Sequence, residues 1–271
     1  MGGPGYRFAW GAQDDNDSIA AIHKALDLGI NWIDTAAIYG LGHSEEVVAK
    51  AIHRLAERPY IFTKCERVWN EQGEIGKSLK NNSIRAEIEA SLRRLKLDVI
   101  DLYQIHWPAW KGAPESASPG SIEEAVGALA ELQQQGLIRH IGLSNVTPTQ
   151  LAEAQSIAPI VCIQNFYNLA NRADDAFIDD LAQQGIPYVP FFPLGGFTPL
   201  QSSELDTAAA TLQATPMQVA LAWLLHRSPN ILLIPGTSSL NHLEENLKAA
   251  TLQIPHEILN DLSAIAAPFV S

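Results

Sequence analysis

The stretch INWIDTAAIYG (residues 30–40) opens as a short apolar run and closes on groups that can do chemistry. INWID (30–34) suits a buried strand, and it ends on Asp34, with Tyr39 five residues further on. Upstream, DSIAAIHKALDL (17–28) places Ile19, Ile22, Ala25 and Leu26 on one helical face, and Gly29 stops it. Downstream, Ser44 precedes EEVVAKAIHRL, with two acids in the first turn of a predicted helix. Helix, strand and helix thus flank the one segment that joins a core strand to a polar end.

The pattern repeats along the chain. Predicted strands are INWID (30–34), YIFTK (60–64), DVIDLYQIHW (98–107), IRHIGLSN (138–145), IVCIQNF (160–166), IPYVPFF (186–192) and ILLIPG (231–236). Predicted helices separate every pair. They include 83–96 capped by Ser83, 121–136 capped by Ser121 and stopped by Gly136, and 215–227 with Pro216 at its first position. The stretch between 192 and 215 reads as a loop, and short helices are expected at 240–249 and 255–266. Seven strands alternating with helices argue for a parallel sheet, and their nearly continuous apolarity fits burial on both faces. A doubly wound sheet and a barrel both satisfy this alternation. The polar residues separate them. Asp34, Lys64, His106, Ser144–Asn145, Gln164 and Pro235–Gly236 all fall at strand C-terminal ends. An open sheet gathers such residues only beside its switch point, whereas a barrel gathers every strand end at one mouth. The expected fold is therefore a (β/α)8 barrel in a single domain over 1–271.

Charge narrows the partners. The 18 Lys and Arg against 30 Asp and Glu leave a net charge of −12. That balance excludes the basic footprint of a nucleic-acid binder and disfavours anionic membrane surfaces. No apolar run approaches a membrane span, and the opening residues have no basic-then-apolar signal pattern. Cys65 and Cys162 are too few and too far apart for a disulfide scaffold, so a reduced, cytoplasmic setting is expected. A small-molecule partner, a monomeric or weakly oligomeric state and no metal are the matching expectations.

Asp34, Tyr39, Lys64 and His106 each have a bland reading: a helix cap, a loop aromatic, a surface cation and a satisfied core histidine. As a set they are organised for carbonyl reduction. A phenol is protonated near neutrality and can act as an acid. An ammonium beside it favours tyrosinate and so improves the donor, a carboxylate holds that ammonium, and an imidazole can orient the carbonyl oxygen.

The strings DTAAIYG, GLGHSEEVV, LDVIDLYQIHWP, IRHIGLSN, IQNFYN and IPGTSSLNHLEENL follow one another in the order found in aldo-keto reductases, which the chain resembles across nearly its whole length. The resemblance implies NADPH-dependent reduction of an aldehyde or ketone, with Asp34, Tyr39, Lys64 and His106 as the catalytic set. It places the nicotinamide carboxamide against Ser144, Asn145 and Gln164, and the nicotinamide ring on Phe191, where the family often has Tyr. Pro193, Leu194, Gly195 and Gly196 would line the pyrophosphate, and Pro235, Gly236, Thr237, Ser238, His242, Glu245 and Asn246 the adenosine end. Many members grip the 2′-phosphate with Lys and Arg where this chain has Gly236 and His242, so NADH is the alternative cofactor. Trp69, Trp107 and Trp110 are the candidate apolar walls for substrate, and 107–120 reads as a Pro- and Gly-rich flap.

Two further readings compete. One is a non-catalytic NADP(H)-binding sensor or regulatory subunit on the same fold. The other is an unrelated barrel using Lys64 as a Schiff-base residue. The resemblance also puts Asp34 at the end of the second barrel strand, with Met1–Gly3 resembling the tail of the motif that ends the first. The chain is therefore expected to lack barrel strand one, leaving two unpaired edges.

Overall fold

The computed structural model describes residues 13–107, 119–196 and 200–265. The chain divides into two compact units, residues 1–163 with 238–240 and residues 164–237 with 241–271.

The first unit begins with α1 (Asp15–Asp27), capped by Asp14, whose side chain accepts from the Asn16 amide. It continues through β1 (Trp32–Asp34), α2 (His43–Ile52), β2 (Tyr60–Cys65), β3 (Arg67–Trp69), β4 (Ile75–Lys77), α3 (Asn81–Leu95), β5 (Ile100–Ile105), α4 (Ile122–Gln134), β6 (Ile138–Ser144) and α5 (Pro148–Gln155). Strand β7 (Ile160–Phe166) starts in this unit. β1, β2, β5 and β6 are neighbours in that order, and each adjacent pair is parallel. The order follows the chain without reversal, as in a barrel and unlike a doubly wound sheet. Every residue of β5 is buried, including the charged Asp101, which is paired with Arg58, and the polar Gln104. The registers Lys64↔Gln104 and Gln104↔Gly142 put three residues of three strands in one row.

Helix starts show where local signals yielded to tertiary ones. Ser121 caps α4 as its sequence indicates, accepting from the Glu124 amide. Ser44 does not cap α2. Gly42, at φ 98°, takes that position, and Ser44 lies inside the helix with its Oγ 2.7 Å from the Thr35 hydroxyl. Ser83 likewise sits inside α3, which starts at Asn81, because the Glu124 carboxylate from α4 accepts from the Asn81 amide at 2.9 Å. The antiparallel β3–β4 hairpin has no counterpart among the predicted strands. Asn70 builds its turn by accepting from the Gln72 and Glu74 amides, and Gly73 supplies a φ of 75°.

The second unit contains the end of β7, α6 (Asp175–Gln184), β8 (Tyr188–Phe191), α7 (Ser203–Leu212), α8 (Pro216–Arg227), most of α9 (Leu240–Lys248), a 3₁₀ turn (Ala249–Thr251) and α10 (His256–Ser263). Its core centres on Trp223 of α8, stacked on Tyr167 at 6.2 Å between ring centroids. α8 begins with a Thr215–Gln218 capping box and Pro216, in keeping with its sequence. α7 replaces part of the expected loop; Ser202 caps it by accepting from the Leu205 amide.

The seventh expected strand, 231–236, does not form. Ile231 makes only an isolated bridge with Tyr188. The ladder runs from Tyr188 N–H to Asn230 O, then from Leu232 N–H to Tyr188 O. The next rung would need an N–H from residue 190, which is proline and has none.

Candidate active site

Asp34, Tyr39, Lys64 and His106 all belong to the first unit. Asp34 ends β1, Lys64 is the penultimate residue of β2, and His106 directly follows β5, its amide bonded to the Cys65 carbonyl. Tyr39 lies in the turn after β1, its amide bonded back to Ala36. Parallel pairing of β1, β2 and β5 therefore delivers all four to one end of the sheet.

Lys64 is the centre of the group. Its Nζ donates to Asp34 Oδ1 at 2.5 Å and to the Thr35 carbonyl at 2.9 Å, and it stands 5.7 Å from the centre of the Tyr39 ring. The Tyr39 and His106 rings meet edge to face, 5.9 Å apart. Burial works against the charge on Lys64, but Asp34 and Tyr39 outweigh it and hold the amine above the ordinary lysine value. Burial pushes the Tyr39 phenol up; Lys64 pulls it down and Asp34 adds to the rise, so the net position is above an ordinary tyrosine. The sequence suggests a lowered phenol, and the structure reverses that because burial outweighs the ammonium. His106 is pushed well below the ordinary imidazole range by burial first, then by the charges of Lys64 and Arg67. The resulting set is a protonated phenol, a charged amine and a neutral imidazole at neutral pH. A lysine held charged is a poor amine nucleophile, which disfavours the Schiff-base reading.

Trp107 carries the Arg67 guanidinium over its ring at 4.6 Å. Trp69 stands against Arg94 at 5.5 Å, and Arg94 in turn pairs with the fully buried Glu45 at 2.6 Å. Trp110 lies outside the described residues. Arg67, which lies over the Trp107 ring and acts on His106 through its charge, is a site neighbour not anticipated from sequence. Gln104 is another: a buried polar residue inside the strand IDLYQI, next to the residues at its C-terminal end, is the signal that marks it.

The residues implied for a nicotinamide cofactor are spread over both units. In the first, Ser144 is buried at the end of β6. Asn145 takes a φ of 57° and donates from Nδ2 to the His106 carbonyl at 3.1 Å and to Ser144 Oγ at 3.2 Å. Ser238 is also assigned to this unit. In the second, Gln164 is buried on β7, and Phe191 stacks on Phe166 at 5.7 Å. Pro193 and Leu194 lie in a turn in which the Gly195 amide bonds to Phe192 O. Gly195 and Gly196 have φ of 93° and 71°, and a Cβ on Gly196 would come within 2.8 Å of the Phe192 ring. Pro235, Gly236 and Thr237 precede α9 without strand pairing. His242 and Glu245 are exposed on α9, Asn246 is half-buried, and Glu245 O accepts from Gln218 Nε2. Ser144 and Asn145 in the first unit, and separately Gln164 in the second, carry hydroxyl and amide groups that can donate and accept as a carboxamide requires. At Gly236 and His242 no permanent cation is present to hold a second phosphate.

The fold and the four-residue group define an oxidoreductase for carbonyl chemistry. The chain belongs to the aldo/keto reductase family, whose model matches residues 1–267. It is 50% identical over 254 residues to the pyridoxine 4-dehydrogenase of Escherichia coli, covering 94% of this chain and 88% of that one. Among solved structures, a thermostable aldo-keto reductase bound to epalrestat is similar with a TM-score of 0.79 and 33% identity, covering 97% of this chain and 94% of that one. An aldo/keto reductase of Klebsiella pneumoniae, solved with NADP and acetate, is similar with a TM-score of 0.78 and 27% identity, over 100% of this chain and 92% of that one. The fold class is thus the barrel type of these enzymes, with fewer than eight strands in its main sheet among the described residues. The activity is oxidoreduction of small-molecule carbonyl compounds with a nicotinamide cofactor. No helix among the described residues is long and apolar enough to cross a membrane.

Proposed function

We propose that this chain reduces an aldehyde or ketone with NADPH and that Tyr39 supplies the proton. The observation that carries the reading is the Lys64–Asp34 pair beneath Tyr39, at 2.5 Å, beside an imidazole kept neutral by burial. NADPH, when bound, supplies the hydride to the carbonyl carbon. Tyr39 gives its phenolic proton to the carbonyl oxygen. Lys64 lowers the cost of leaving a phenolate behind, and Asp34 keeps Lys64 charged and in place. His106, as a neutral donor, orients the oxygen toward Tyr39. Ser144, Asn145 and Gln164 are proposed to hold the carboxamide, Phe191 the ring, Pro193–Gly195 the pyrophosphate and Pro235–Ser238 with His242, Glu245 and Asn246 the adenosine end. Trp107 and Trp69 are proposed as substrate walls.

The 50% identity to a pyridoxine 4-dehydrogenase puts aromatic aldehydes such as pyridoxal at the head of the substrate panel. The structure solved with NADP supports NADPH as the first cofactor to test, while the uncharged Gly236 requires NADH beside it. The excess of acidic residues supports a small-molecule enzyme with no nucleic-acid partner and no attachment to anionic membrane. Two free, buried cysteines support a cytoplasmic setting. The test is a turnover screen in both directions with NADPH and NADH over aldehydes, ketones and the matching alcohols. Reduction of at least one aldehyde with NADPH is expected. Cofactor binding by fluorescence with no turnover across the panel overturns the reading and favours a sensor.

A further inference from the structure

We propose that Gln104 is a positioning residue for the Lys64–Asp34 pair: its side-chain amide holds the second oxygen of Asp34 so that the first stays on Lys64. The inference rests on the proposed carbonyl-reductase reading for its kinetic consequence, and on the geometry alone for the contact.

Asp34 divides its two oxygens. Oδ1 receives Lys64 Nζ at 2.5 Å, and Oδ2 receives Gln104 Nε2 at 3.3 Å. A carboxylate held at one oxygen can still swing about its χ2, which is a broad torsion. A donor at the other oxygen removes that freedom. The backbone supplies the donor by register. Gln104 pairs with Lys64 across β2 and β5, so both side chains leave the sheet on the same side at the same height. The opposite neighbour in the row is Gly142 of β6. A Cβ there would stand 2.9 Å from Gln104 Cγ, 3.1 Å from its Oε1 and 3.2 Å from the Cys162 carbonyl. Glycine at this position therefore leaves the space that Gln104 occupies.

The alternative is that Gln104 is ordinary core packing. Its own polarity argues against that. The residue is fully buried, and its Oε1 has no hydrogen-bond partner among the described residues. Burying an unpartnered amide oxygen is costly, and an apolar residue of the same size would avoid it. The cost is understandable if the amide nitrogen is needed on Asp34. Among the described residues, Asp34, Tyr39, Cys162 and His106 interact electrostatically with Lys64, and Lys64, Asp34 and His106 surround Tyr39 electrostatically or by contact. A shift of Asp34 thus reaches the proton donor through Lys64.

The experiment compares wild type, Gln104→Leu, Gly142→Ala and the double variant Gln104→Ala/Gly142→Ala. The kcat for aldehyde reduction with NADPH is expected to fall about ten- to a hundredfold in Gln104→Leu, the range for losing a hydrogen bond to a charged group. KM and cofactor affinity should hold, and the alkaline limb of kcat should move. Gly142→Ala should show the same signature with Gln104 still present, and the double variant should be no worse than either. Hydrogen exchange at the Lys64 ammonium, followed in 15N-lysine-labelled protein and assigned by its loss in Lys64→Arg, should quicken in both single variants. Unchanged exchange in Gln104→Leu overturns the proposal whether or not the protein turns over. Equally fatal is a fall in kcat that tracks lost stability, with the pH profile unmoved. Absence of turnover in wild type would overturn the reductase reading instead, while the exchange measurement still decides the role of Gln104.

Discussion

Lys64 and Asp34 form an ion pair from which solvent is almost excluded: their side chains are 0% and 8% exposed, and Nζ to Oδ1 is 2.5 Å. Removing one partner of such a pair strands a buried charge, which costs about 3–5 kcal/mol. Lys64→Met should therefore destabilise the protein by roughly that amount in urea unfolding at neutral pH. The double variant Asp34→Asn/Lys64→Met should regain most of the loss, because no charge is left unpaired. It should not regain activity. A double variant as unstable as Lys64→Met would show that the pair stabilises the fold by more than mutual neutralisation.

Tyr39→Phe separates the proton donor from the rest of the group. A positioned general acid contributes about 10²–10⁴-fold, so kcat should fall by that factor with nucleotide affinity retained. The phenol must carry its proton for reduction, and its position is above the ordinary tyrosine value of 10.0. Reduction should therefore hold steady through neutral and mildly alkaline pH and decline only above about 10. Oxidation of the alcohol needs the phenolate and should rise over the same interval. A Tyr39→Phe protein with wild-type kcat ends this assignment.

Asp34, Lys64 and His106 were readable as candidates because each falls at or near the C-terminal end of a strand. What the sequence could not show is how such residues are partnered. Gln104 lies inside a strand rather than at its end, and only the register with Lys64 reveals its reach to Asp34. Arg67 follows a strand as a surface cation would, yet it covers Trp107. The helix starts at Ser44 and Ser83 failed as readings because a glycine turn and a carboxylate from α4 supplied what a local serine would have supplied. The strand at 231–236 failed for a reason two helices away in sequence: Pro190 on β8 cannot donate the next rung.

His106 should stay neutral across the physiological range, since burial, Lys64 and Arg67 all disfavour its charged form. Its titration lies below the ordinary imidazole value of 6.5, so kcat for reduction should not bend between pH 6 and 7. Arg67→Gln removes one of the two cations acting on the ring. The His106 titration should move upward toward that ordinary value, and any acid limb of kcat should move with it. Ring-nitrogen NMR of His106 against pH checks both statements. A normal imidazole titration in wild type would contradict them.

Glu87 of α3 links stability to pH. Its carboxyl accepts from the Glu66 amide at 2.8 Å and from the Ser83 hydroxyl at 3.1 Å. Burial pushes it up to about 8, against the partial relief of those two bonds; Glu66 adds a smaller rise and Arg94 a smaller fall. A carboxyl with a raised folded-state pKa binds its proton more tightly in the native protein than in the unfolded chain. Below about 4.5 both states are protonated and the residue has no effect on pH dependence. As pH climbs from about 4.5 to about 8 the unfolded chain gives up the proton first, and native stability falls. Above that window the loss is complete. Glu87→Gln fixes the neutral form at the cost of rearranging one hydrogen bond, worth about 1 kcal/mol. It should differ little from wild type at pH 5 and be the more stable protein at pH 9, as read from urea midpoints. The opposite order at pH 9 would mean that the ionised carboxylate, held by the Glu66 amide and Ser83, is the form the fold prefers.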